Sequence, residues 1–80
     1  MTITAATPTA ADISAMARSI LSRQMEEGPD DTVVSSGIIL PTIADYGFPH
    51  DYEIVVEDAV EDVWGRYLRG EIADPVAAVV

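Results

Sequence analysis

The sequence predicts a mostly α, single small domain with two main helices, over about residues 10–27 and 52–69, and a short helix or hairpin between them. Three observations predict it. Apolar residues recur at three- and four-residue spacing through both long segments. Each segment opens on a residue suited to a helix N-cap, Thr9 or Asp51, and closes on a glycine, Gly28 or Gly70. The chain has 80 residues, which is one domain, and 49% of them are hydrophobic, enough for a core and too many for a disordered tail.

Residues 1–8 are small and weakly apolar and end on Pro8, so a flexible N-terminal arm is expected there, with the domain spanning 9–80. Thr9-Ala10-Ala11-Asp12 has the pattern of a capping box, the Thr9 hydroxyl and the Asp12 carboxylate each serving the other's backbone N–H. From there Ile13, Met16, Ala17, Ile20, Leu21 and Met25 share one helical face, and Arg23 stands one turn before Glu27. Gly28-Pro29-Asp30-Asp31 reads as a turn.

The middle is ambiguous. Thr32-Val33-Val34 and Ile38-Ile39-Leu40 could pair as a hairpin across Ser35-Ser36-Gly37. Pro41 instead suits the first turn of a short helix over about 41–46, closed by Gly47. After Phe48-Pro49-His50, Asp51 caps the second main helix, whose stripe is Val56, Ala59, Val60, Val63, Trp64, Tyr67 and Leu68. Tyr52, Ile54 and Val56 also alternate with Glu53, Val55 and Glu57, so a strand over that stretch is the competing reading. Residues 76–80 are apolar and are expected to pack on the core or, failing that, to form an interface.

Charge is the strongest feature. Fourteen acids face four basic residues, all arginine, for a net charge of −10. The last forty residues hold nine acids and two arginines, −7, against −3 for the first forty. Within that half Asp51, Glu53, Glu57, Asp58, Glu61 and Asp62 lie inside twelve residues with no base among them. On a helix, Glu53, Glu57 and Glu61 form one row and Asp58 and Asp62 the next, and both rows are expected to stand opposite the apolar stripe. Twelve helical residues span about 18 Å, so six carboxylates give roughly one charge per 3 Å. One DNA strand presents a phosphate about every 3.4 Å. A surface built to hold phosphates through Arg and Lys can therefore accept this ridge. Such a field disfavours direct contact with nucleic acid or an anionic membrane and favours a partner with a basic surface. Solubility of a small apolar domain, or adaptation to high salt, accounts for the same composition without a partner.

Other chemistries lack their residues. With no cysteine there is no disulfide, thiol nucleophile or cysteine zinc site, and a small unstapled domain suits a cytoplasmic setting. The N-terminus has no signal-peptide pattern and no run is long enough to span a membrane. His50 is the single histidine, and beside Asp51 it is better read as a turn residue than as a metal ligand. No nucleophile-elbow pattern surrounds Ser35 or Ser36, and the glycines form no phosphate loop. The expectation is a non-enzyme that needs no cofactor and no metal.

In size, acidity and lack of catalytic motifs, the chain resembles small acidic phage proteins of the anti-CRISPR type and other DNA mimics. The resemblance implies an inhibitor that occupies the basic surface of a nucleic-acid-binding partner. It carries no motif, so the partner-binding residues expected here, Asp51, Glu53, Glu57, Asp58, Glu61 and Asp62, rest on the ridge alone. An antitoxin or assembly subunit using the apolar segment Val76–Val80 is the alternative. Size, acidity and helix content also suit an acyl carrier protein. However, Ser35-Ser36-Gly37-Ile38 departs from that family's Asp-Ser-Leu motif, with no Asp before the serine and no Leu after it.

Overall fold

A computed structural model of the chain describes residues 7–79, so the expected arm lies outside the described residues except for Thr7 and Pro8. The fold is helical, with no strand among the described residues. Helix α1 runs Ala10–Glu27, α2 runs Ser36–Asp45, and α3 runs Glu53–Leu68 after a 3-10 turn at His50–Tyr52. Helix α1 packs on both α2 and α3, and α2 packs on α3.

Local signals set most of the ends, but Asp51 does not cap α3: it lies within the 3-10 turn, and Tyr52 stands at the N-cap with no side-chain bond. Thr9 and Asp12 form the full capping box, with the Thr9 N–H donating to Asp12 Oδ2 at 2.9 Å and the Asp12 N–H to Thr9 Oγ1 at 3.1 Å. Helices α2 and α3 both stop on a glycine at positive φ, Gly47 at 81° and Gly70 at 78°. The Phe48 and Glu71 N–H groups then reach back to the Ile43 and Arg66 carbonyls, which closes a Schellman motif at each end. The start of the short middle helix differs from the sequence reading. Helix α2 begins at Ser36, five residues before Pro41, because the Ser35 hydroxyl caps it by accepting from the Gly37 N–H at 3.1 Å. Ile38-Ile39-Leu40 is therefore helical and the hairpin does not form. Pro41 sits inside the helix, where its ring faces the carbonyl of Gly37, an exposed residue whose carbonyl water can satisfy. The strand reading of 52–57 is likewise replaced by the 3-10 turn and the first turn of α3.

The core is built from one face of each helix. Met16, Ala17, Ile20 and Leu21 come from α1, Ile38, Ile39 and Ile43 from α2, and Val56, Val60, Val63 and Trp64 from α3. Ile13, Met25 and Tyr67 pack at its margin, as do Val76, Ala78 and Val79 of the C-terminal segment, with Pro75 fully buried beneath them. Asp74 holds that segment in a turn by accepting from the Val76 N–H at 3.0 Å. Leu68 departs from the expected stripe: it is 40% exposed and belongs to the outer surface.

One polar cluster fixes the connection between α1 and α2. Gln24 is fully buried, and both ends of its amide are engaged. Its Nε2 donates to the Gly28 carbonyl at 2.7 Å and to Asp31 Oδ2 at 3.0 Å, and its Oε1 accepts from the Ser35 N–H at 3.1 Å. From α3, the Trp64 indole N–H donates to the Asp31 carbonyl at 2.7 Å and Glu61 accepts from the Val34 N–H at 2.8 Å. Backbone groups that a loop turns toward the core go unpaired unless side chains meet them. Here three side chains from the two long helices do so, and Val34 is thereby pressed into the core.

Candidate functional site

Helix α3 positions the acidic ridge, and its packing divides the six carboxylates into two kinds. Asp51, Asp58 and Asp62 are exposed. Asp58 and Asp62 are one turn apart on α3, about 6 Å along its axis, and Asp51 precedes Asp58 by seven residues at the start of the same outward line. Glu53, Glu57 and Glu61 are only half-exposed. At 100° per residue their row starts level with Val60 and Trp64 at Glu53 and drifts outward to Glu61, so it flanks the core and does not stand opposite it. The sequence reading of two outward rows therefore holds for the aspartates alone.

Glu61 has a further commitment. Its Oε1 is the acceptor that holds the Val34 N–H, so one oxygen of that carboxylate serves the fold. No periodicity in the sequence could have marked this, because the donor comes from a loop 27 residues away.

The outward face is also less purely acidic than the charge pattern implied. Ile54 is 69% exposed and Val55 48% exposed, and both sit among Asp51, Asp58 and Asp62. In the strand reading Ile54 falls on the same face as Tyr52 and Val56; as outward residues of a helix, Ile54 and Val55 change what the face can bind. Charge around them is unopposed. Among the described residues the ion pairs are Arg23 with Glu27, at 3.8 Å, and Arg69 with Glu71, both on the surface and away from the ridge. Every ridge carboxylate lacks a guanidinium within ion-pair distance among the described residues.

The remaining surface offers shallow depressions. A groove of about 260 Å³ runs between α1, α3 and the C-terminal segment, floored by Ile13, Ala17, Ala59 and Val63, with Asp62 and Arg66 at its rim. A broader depression of about 650 Å³ lies where Pro29 and Asp30 face Tyr67, Leu68, Glu71 and Ile72. No group of three His, Asp or Glu side chains converges in a metal-binding arrangement among the described residues. His50 is exposed in the 3-10 turn, and Ser35 is occupied as the cap of α2. No helix among the described residues is long and apolar enough to cross a membrane.

What this arrangement can do chemically is hold cations at a surface: a line of solvated carboxylates with aliphatic side chains between them. No protein-family model matches the chain, and no curated protein or solved structure does either.

Proposed function

We propose that this chain is a binding protein that inhibits a nucleic-acid-binding partner by occupying its basic surface, in the manner of a DNA mimic. It acts by association and performs no reaction of its own. The observation that carries the reading is the line Asp51, Asp58 and Asp62, exposed and in no ion pair among the described residues, on a chain of net charge −10. Isolated carboxylates of like sign repel one another, so a line of them left unpaired is stabilised when a cationic surface covers it. A partner of that kind is steered in by the field and held in register by it. The apolar C-terminal segment gives the assembly-subunit alternative less support, because Val76, Ala78 and Val79 are already engaged with the core.

The test is capture followed by competition. Immobilised chain is exposed to host lysate at low and moderate salt, and each retained nucleic-acid-binding protein is purified and loaded with a labelled oligonucleotide. Addition of the chain should displace the oligonucleotide, and the Asp51→Asn, Asp58→Asn, Asp62→Asn triple variant should fail to do so. Displacement that is equal for both proteins, or that is insensitive to salt, would remove the charge-driven reading.

A further inference from the structure

Helix α3 carries a second seam, separate from the one that faces the core. Ile54, Asp58, Glu61, Gly65 and Leu68 recur at the alternating four- and three-residue steps by which one helix presents itself to another in coiled-coil packing. The inward stripe uses Val56, Val60, Val63 and Trp64, so the two do not overlap. Ile54 at one end is 69% exposed and Leu68 at the other 40% exposed. They are about 21 Å apart along the axis. Midway between them Glu61 holds the Val34 N–H, and the adjoining Val33 side chain is 63% exposed at that level. Two aliphatic side chains thus stand along one flank two heptads apart, with Val33 exposed on the loop that Glu61 holds between them.

Gly65 lies in this seam. A glycine inside a helix loses stability relative to alanine. Nothing rigid within the chain calls for it: a Cβ at residue 65 would meet only the tip of the flexible Arg69 side chain, at 3.2 Å. What the missing side chain leaves is room above the α3 backbone, which the flexible Arg69 side chain partly covers. At the Leu68 end the seam opens into the depression of about 650 Å³, which is edged by Asp30 and Glu71.

We propose that this seam seats a basic amphipathic helix of another protein. Charge selects the occupant. Asp58 and Glu61 lie in the seam and Glu57 and Asp62 border it, so a second copy would bring acid against acid with a net charge of −10 on each chain. Nucleic acid would meet the same repulsion. A helix with aliphatic residues at heptad steps and Lys or Arg beside them satisfies the apolar and the charged parts together. The inference rests on the basic-surface reading above and adds that the surface is helical, with apolar anchors.

The full chain is titrated with three labelled synthetic peptides of equal length, followed by fluorescence anisotropy. One is a helix with a leucine seam flanked by lysine and arginine. The second has the same composition scrambled so that the seam is lost, and the third keeps the seam but is flanked by glutamate. The seam-bearing basic peptide is expected to bind about tenfold more tightly than the scrambled one, and the acidic peptide not at all. Ile54→Ser and Leu68→Ser, both at exposed positions, should each weaken it about fivefold. Gly65→Leu should weaken it at least as much by blocking approach, with circular dichroism showing an intact fold. Equal binding of the two basic peptides, unchanged by Ile54→Ser and Leu68→Ser, overturns the seam and leaves the basic-surface reading standing. Failure of both basic peptides to bind overturns both.

Discussion

Glu61 Oε1 accepts the Val34 N–H at 2.8 Å, which makes one carboxylate of the acidic ridge a fastener of the loop between α1 and α2. The same loop is held by Trp64 one turn further along α3, through the Asp31 carbonyl. The ridge and the fold therefore share a helix face at this point, and the contributions of its acids separate by substitution. Glu61→Gln retains an acceptor oxygen and should unfold at nearly the same urea midpoint as the parent chain. Glu61→Ala leaves a partly buried N–H unmet and should cost about 1–2 kcal/mol. Equal loss in the two variants would mean that the negative charge, and not the hydrogen bond, holds Val34.

Gln24 is the other side of that clamp. It is fully buried with both ends of its amide engaged, to Gly28, Asp31 and Ser35. Gln24→Leu keeps the volume but strands these groups, and is expected to cost about 2–4 kcal/mol in denaturant unfolding. Hydrogen exchange should also show faster exchange at the Ser35 amide in particular, since that N–H loses its acceptor. An unchanged Ser35 rate would place the loop's support elsewhere.

Gly28 meets the same cluster from the backbone. A Cβ there would lie 2.1 Å from Asp31 Oδ2, the oxygen that Gln24 holds. Its φ of −159° is open to any residue, so the requirement is one of space alone. Gly70 differs, with φ at 78° and nothing within 4 Å of an added Cβ. Gly70→Ala should therefore cost about 1 kcal/mol from backbone strain, and Gly70→Asn less, because asparagine tolerates that region. Gly28→Ala and Gly28→Asn should both be destabilising, with asparagine giving no relief. The contrast is read from melting temperatures of the four variants.

Much of this architecture is legible from local chemistry. The Thr9–Asp12 capping box, the closing glycines at 47 and 70, and the helical spacing of Met16, Ala17, Ile20 and Leu21 each act over one turn or two. Two features were not. Ser35 caps α2 six residues before Pro41, where the proline suggests the helix start. The Gln24, Glu61 and Trp64 clamp joins residues that only the tertiary fold brings together. The candidate site was legible as a concentration of charge. Its division into exposed aspartates and half-buried glutamates was not, because a row at four-residue spacing precesses around the helix by 40° per step. Across two steps that carries Glu53, Glu57 and Glu61 along the margin of the core, and only the position of the core fixes which rows are outermost.

That division makes the last prediction specific. Asp51, Asp58 and Asp62 are exposed, and none of them is a partner in the loop clamp. Converting all three to asparagine removes like-charge repulsion without removing a buried contact. The variant should be as stable as the parent at high salt and more stable at low salt, by about 0.2–0.5 kcal/mol for each relieved pair. Its affinity for a cationic partner should fall at the same time, most at low salt, where the parent's field reaches furthest. Stability and binding then move in opposite directions on one set of residues, which is the mark of charge retained for a partner. Parallel measurement of thermal unfolding and of peptide anisotropy across a salt series checks it. If the triple variant gains stability and loses no affinity, these acids serve only to solvate the face.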